Sequence, residues 1–168
     1  GTVEFLDNVT VDKWIMFAEK MNIGNGKLIT LNINGVTIDG NNHTLTIKSI
    51  ESAGNGGRLF YDAQNLTIKD LTINYVDAAA NQGGIGLQSG TLSNVTFNGG
   101  GYGVLPGSGD ITITECTFKT NSTAIYFEEA RDNLVVHQPA TIVYAIVNAA
   151  AASGDAIADH AIGYPRQT

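Results

Sequence analysis

The segment Leu71-Thr72-Ile73 returns as Val95-Thr96-Phe97, as Cys116-Thr117-Phe118 and as Ala140-Thr141-Ile142, and Leu45-Thr46-Ile47 precedes them all. The central threonines are about 21 to 26 residues apart. A second series, Leu59, Ile85, Val104 and Ile125, keeps similar steps. Self-similarity of this period marks a chain that coils and stacks, each unit burying its apolar face only against its neighbours. That constraint selects a solenoid before any other consideration applies.

The rest of the composition agrees with such a fold. Twenty glycines and only 15% charged residues suit a turn-rich solenoid. At 168 residues the chain reads as a single domain, long enough to bury a continuous core without cross-links. Cys116, the single cysteine, occupies the column otherwise filled by Leu45, Leu71, Val95 and Ala140, which predicts a buried small hydrophobe rather than a reactive thiol. With 9 basic against 16 acidic residues, a net charge of -7 and no basic cluster, nucleic acid and anionic membrane are poor partners. No apolar run approaches the roughly 20 residues that would span a bilayer, so no membrane insertion is expected, and a secreted protein would have lost its signal from this chain.

Before the repeats the pattern changes. Val11, Trp14, Ile15, Ala18 and Met21 fall at helical spacing, with Thr10 or Asp12 as N-cap and Gly24 as stop, which predicts one amphipathic helix over about 11–22. A solenoid exposes the apolar floor of its first coil, and such a helix, carrying Trp14 and Phe17, would plug it within an N-terminal cap over 1–27. Coils follow over 28–142, about five of them, each with two short strands, a turn and a third strand. Residues 143–168 lose the register and are alanine-rich, which predicts a C-terminal cap containing short helices and a tail. Strand alternation points Ile68, Leu71, Ile73, Val95, Phe97, Ile113, Phe118, Ile125 and Phe127 inward and the threonines outward.

With the coils aligned, Val36-Thr37-Ile38-Asp39-Gly40-Asn41, the run Asn65 to Ile73 and the run Asp110 to Phe118 resemble the right-handed parallel β-helix repeat of the pectate-lyase-like superfamily. The resemblance covers residues 28–142 and implies an all-β, right-handed parallel β-helix. It leaves the chemistry open, since that superfamily holds polysaccharide lyases, glycoside hydrolases, adhesins and binding proteins without catalysis. Phe118-Lys119-Thr120-Asn121 with Ala124-Ile125-Tyr126 is also similar to repeats of bacterial autotransporter passengers.

A polygalacturonase-like member would carry an Asn-Thr-Asp segment, an Asp-Asp pair and a Gly-His-Gly on adjacent coils. The corresponding strands here read Gly84-Ile85-Gly86-Leu87-Gln88 and Tyr102-Gly103-Val104-Leu105-Pro106. A lyase-like member would pair calcium-binding carboxylates with a basic residue, yet Arg58, Arg131 and Arg166 all fall outside strand centres. Spacing gives an independent test. Asp62, Gln88, Gly107 and Glu128 align on the third strand, which puts the two carboxylates about 14 Å apart at ~4.8 Å per coil. Glycosidases hold theirs at roughly 5 to 9.5 Å. Asp70, Asn94 and Glu115 form a turn column with its carboxylates roughly 9.6 Å apart, the one weak catalytic alternative, against which stands the plain reading as solvated turn residues.

Recognition remains. Phe60 and Tyr126, with Leu105 between them and Gly86 leaving a gap, are expected outward on the third-strand face beside Asp62, Gln88 and Glu128. Aromatic rings flanked by hydrogen-bonding groups suit sugar rings. A calcium site from Asp39, Asp62 or Asp77 is a further option, while no other cofactor and no transition-metal site is expected. Thr46, Thr72, Thr96, Thr117 and Thr141, with Thr37, Thr67, Ser93, Thr112 and Val135 as an imperfect second column, raise ice binding, although threonine's strand propensity suffices to explain them. The expected function is a non-catalytic, secreted or cell-surface module of a larger bacterial envelope or host-facing protein, structural or adhesive, binding polysaccharide or cell-surface glycan. The alternative is a polysaccharide-active lyase or hydrolase.

Overall fold

The computed structural model of the chain describes residues 1–15, 17–18, 20–22, 28–30, 33–51, 58–76, 82–119, 123–126, 134–137 and 141–142. Two principal sheets of parallel strands make up most of the described structure. One nine-stranded sheet runs in the order Thr2–Glu4, Thr37–Ile47, Leu66–Tyr75, Gly90–Asn98, Ile111–Thr114 and Leu134–His137, joined by Val9–Val11, Thr117–Lys119 and Thr141–Ile142. A second sheet stacks Phe17–Ala18, Phe60–Ala63, Ile85–Leu87, Tyr102–Pro106 and Thr123–Ile125. All pairings in both are parallel, and the chain climbs one rung per circuit: this is a parallel β-helix.

The long strands turn without breaking, and one residue does it. Asp70, Asn94 and Glu115 have φ of 52°, 54° and 56°, the left-handed region that asparagine and aspartate tolerate best. Inside Leu66–Tyr75 the burial alternation resets at Asp70, so Ile68 before it and Leu71 after it both face inward. Were Asp70 an ordinary extended residue, the alternation would run on through it and turn Leu71 outward and Thr72 toward the core. The second coil spends Gly40, Asn41 and Asn42 on the same turn, where Asp39 pairs with Lys69 and His43 with Leu71. Gly40 is obligatory there, since a Cβ would lie 2.4 Å from the Asp70 carbonyl oxygen and 2.5 Å from Leu71 Cβ.

That longer turn shifts one expected alignment, and a second differs elsewhere. Thr72 pairs with Thr44, not Thr46, so the repeated tripeptide of this coil is His43-Thr44-Leu45, and Thr46 pairs with Asn74 and Thr10. In the other leg Thr67 pairs with Thr91, and Thr91 with Thr112, so Thr91 rather than Ser93 completes the column. The two threonine columns lie on opposite sides of the left-handed turn, in different legs of the coil.

The N-terminal helix expected over about 11–22 is not formed. Val9–Val11, Trp14–Ile15, Phe17–Ala18 and Lys20–Asn22 are strands, and the first three pair in parallel with Leu45 to Ile47, Ile50 to Glu51 and Phe60 to Tyr61. The helical spacing of Trp14 and Ala18 is a by-product of a chain that reaches three sheets within ten residues. Helix propensity yields because the edge of the coil below offers this segment parallel hydrogen bonds that a helix would leave open. Residues 2–18 therefore make an additional coil, so the described residues contain six successive rungs instead of about five. Lys20–Asn22 and Leu28–Thr30 then form an antiparallel pair before the second rung. The C-terminal cap expected over 143–168 lies outside the described residues.

Inside, each column stacks like on like. Ile68, Leu92 and Ile113 succeed one another, as do Leu71, Val95 and Cys116, and all are buried. Ile73, Phe97 and Phe118 form a third column, in which the two rings lie 5.1 Å apart and 3° from parallel. Burial pushes the Cys116 thiol up to about 11, so it packs as an unreactive hydrophobe. Tyr75 is buried among Gly83, Gly99 and Gly100 and its hydroxyl accepts the Gly84 N–H at 3.0 Å. Phe118→Ala removes a fully buried ring and half of the stack at once. Chemical denaturation is expected to show a loss of about 3 to 5 kcal/mol, well beyond that of a surface change such as Thr117→Ala.

Candidate functional site

The face singled out by the sequence is the outer side of the five-stranded sheet. Its register there differs by one residue from the expected one. Ile85 pairs with Phe60, not Leu59, and Leu87 pairs with Ala63, so Tyr61 and Asp62 together oppose Gly86. This is a β-bulge, with Asp62 at φ 53° supplying the extra residue. Phe60 consequently points into the core with 7% of its surface exposed, and Leu59 is buried beside it. The expected outward Phe60 is thereby corrected: the bulge rotates the strand so that the ring fills the interior and Tyr61 takes the outer position.

Leu105 and Gly86 need correction too. Leu105 is 5% exposed, packed against Gly84, where a Cβ would sit 3.0 Å from its Cδ1. Gly86 leaves no open gap, because a Cβ on it would stand 3.0 Å from the Phe60 carbonyl oxygen. Glycine is needed there to let the bulged strand lie close.

Three half-buried tyrosines, Tyr61, Tyr102 and Tyr126, belong to this sheet and its margin. The Tyr126 ring lies 5.2 Å from that of Tyr102 at 47°. Tyr61 carries the Arg58 guanidinium 5.5 Å above its ring, within cation–π range. Sequence reasoning passed over Tyr102 and Tyr61. The repeat held no signal for Tyr102, whose register partner one coil on is Thr123 and not Tyr126. Nothing in the sequence marked Tyr61, which owes its position to the bulge.

Polar groups line the exits of the same strands. Gln88 Nε2 donates to Asp62 Oδ1 at 3.3 Å, while Gln88 Oε1 accepts from the Ser108 N–H at 2.9 Å and the Ser108 hydroxyl at 3.2 Å. Asp62, Gln88 and Ser108 therefore form a chain of hydrogen bonds across three coils. Gly107 allows it, since a Cβ there would meet Gln88 Oε1 at 2.3 Å. Glu128 lies outside the described residues.

The weak catalytic alternative, Asp70 and Glu115, sits elsewhere, in the left-handed turn of the long strands. Asn94 stands between the two and donates from Nδ2 to Asp70 Oδ1 at 2.8 Å. Their backbone conformation accounts for their identity, and they are not gathered with the tyrosines. Of the calcium candidates, Asp39 is engaged by Lys69 Nζ at 2.5 Å and by the Asn41 N–H at 2.9 Å, and Asp77 lies outside the described residues. Among the described residues no group of three or more His, Cys, Asp and Glu side chains comes together.

The hydrogen bond from Lys69, then that from Asn41, holds the Asp39 carboxyl below the ordinary carboxylate range, and the same pairing raises Lys69. A folded-state value below the unfolded one stabilises the protein above about pH 4 and ceases to do so as the pH falls through the lowered value. In Lys69→Met, a carbon-13 NMR titration is expected to move Asp39 up toward the ordinary range, the Asn41 N–H still holding it slightly below. The small stability difference from the parent, constant near neutral pH, is expected to shrink below about pH 4.

Comparison with curated proteins and with solved structures gives no match. A family model does match, over residues 1–151, beginning in the segment that the structure turns into the first coil. Its description is rhamnogalacturonase A/epimerase, pectate lyase-like, and the parallel rungs described above are the architecture that the resemblance implied. Since the match takes in both sheets and all six rungs, the chain belongs to the rhamnogalacturonase A/epimerase, pectate lyase-like family.

Proposed function

We propose that this chain is a non-catalytic module, secreted or displayed on a cell surface, that binds polysaccharide or a cell-surface glycan on the outer face of its five-stranded sheet. One observation carries the reading: the Tyr102 and Tyr126 rings lie 5.2 Å apart at the start and margin of the five-stranded sheet, whose strand exits carry the hydrogen-bonded Asp62, Gln88 and Ser108. Sugar rings offer apolar faces that stack on aromatic rings and hydroxyls that need fixed acceptors and donors, and this face supplies both. Successive coils repeat the offer at ~4.8 Å, so an extended chain could engage several coils at once. The acidic balance of the chain favours neutral over strongly anionic glycans.

The family description supports a second reading, a polysaccharide-active enzyme. Against it stands the position of Asp70 and Glu115 in a backbone turn, with Asn94 between them and no tyrosine near. Calcium held by Asp62 with neighbouring loop oxygens would fit either reading as an auxiliary to glycan binding.

A glycan array followed by titration of the best ligand tests the proposal. Tyr126→Ala and Tyr102→Ala are each expected to weaken binding on the order of 3- to 10-fold, while Thr117→Ala, on the other sheet, leaves it unchanged. Equal profiles for all variants would remove the tyrosine face. In the same preparations, incubation with rhamnogalacturonan is expected to yield neither new reducing ends nor unsaturated product. Cleavage abolished by Asp70→Asn or Glu115→Gln would establish the enzyme instead.

A further inference from the structure

The interior of the helix is not filled evenly. In the column Val9, Leu45, Ile73, Phe97 and Phe118 the side chains shrink toward the N-terminal end, from two stacked rings to isoleucine, leucine and valine. The neighbouring column, Val3, Ile38, Ile68, Leu92 and Ile113, likewise ends on a valine. The rings present in the first two coils, Phe5, Trp14 and Phe60, line the space rather than fill it. A cavity of about 220 Å³ results, lined among others by Val3, Phe5, Trp14, Leu45, Phe60 and Ile73, with an entirely apolar wall. Val3, 53% exposed, stands at its rim.

The wall is preformed. The Trp14 indole N–H is already satisfied by the Leu59 carbonyl oxygen at 3.0 Å, and the Trp14 ring meets Phe60 edge to face with centroids 6.1 Å apart. Among the described residues the lining offers no polar surface to hold water, and apolar cavities of roughly 150 Å³ stay dry and take up benzene. The space here is larger and lies where two coils further on a phenyl ring sits.

We propose that this cavity is a binding site for one uncharged aromatic ring of monocyclic size, supplied by a small apolar ligand. It is separate from the tyrosine face and does not depend on the glycan reading. The ring would occupy the volume that Phe97 and Phe118 fill in the later coils, between the aliphatic column and the Trp14 and Phe60 rings. A charged or hydroxylated ligand would lose its hydration there without compensation.

Trp14 is the only tryptophan in the chain and reports on its own site. Iodobenzene, whose heavy atom quenches indole emission at contact, is expected to quench Trp14 fluorescence saturably, with benzene competing and phenol at least tenfold weaker. Leu45→Phe, which places a ring in the cavity from the protein's own chain, is expected to cut the affinity for iodobenzene at least tenfold while thermal unfolding remains cooperative. Quenching that rises linearly without saturation, or that is unchanged in Leu45→Phe, overturns the proposal. Quenching that vanishes as protein concentration rises, with a dimer seen in sedimentation, assigns the space to a second copy and also overturns it. Should Leu45→Phe not fold, xenon decides in the unaltered protein. Xenon-induced methyl shifts confined to Leu45, Leu59 and Ile73 support the site, and shifts that are absent or evenly spread refute it.

Discussion

A coil of this protein can bury its apolar residues only against the coils before and after it, and parallel backbone hydrogen bonds hold those coils in register. Everything else follows from keeping that register. A rung contains too few residues to enclose a core alone, so the interior exists only where inward positions coincide from one rung to the next. The left-handed residues Asp70, Asn94 and Glu115 preserve the coincidence through the turn. They absorb one residue without a change of face, so both legs keep isoleucine, leucine, valine or phenylalanine on the inside. Side chains that share a column then stack on their own kind, as Phe97 does on Phe118.

The same constraint explains which acidic residues are scaffold. Asp70 bonds to Asn94 one rung away, Asn98 donates to Asn74 in the next column, and Ser89 to Asn65 at the start of the strands. These ladders satisfy polar side chains at turns where the backbone needs residues tolerant of positive φ. A carboxylate found in such a ladder is accounted for by the fold. Asp62, in the bulge, follows the same rule, with a positive φ and a hydrogen bond accepted from Gln88 one rung away.

Departures from the regular repeat generate the features with functional interest. The bulge at Tyr61 and Asp62 turns Phe60 into the core and brings a tyrosine to the outer face. Loss of ring-sized residues toward the N-terminal end opens the apolar cavity around Trp14. Both arise because stacked coils tolerate local irregularity so long as the flanking pairs remain aligned, and neither disturbs the rungs on either side.

The sequence by itself determined that the chain is a parallel β-helix, because a period of inward apolar residues separated by threonine and closed by Asn, Asp or Gly has no other way to be buried. It also marked Cys116 as core and the later columns through Phe97 and Phe118. Only the tertiary structure decided that the segment ahead of the repeats is itself a rung and which side chains face out. The segment around Trp14 carries a helical spacing, and the edge of the next coil, which sequence periodicity does not represent, made it a rung. Single-residue insertions decided the rest. The three-residue turn at Gly40 to Asn42 moved Thr44 into the place expected for Thr46, and the bulge at Asp62 exchanged Phe60 for Tyr61. A strand's side chains alternate with a period of two, so one extra residue reverses every face beyond it, and its position is set by hydrogen bonds to the neighbouring coil rather than by the residues that flank it.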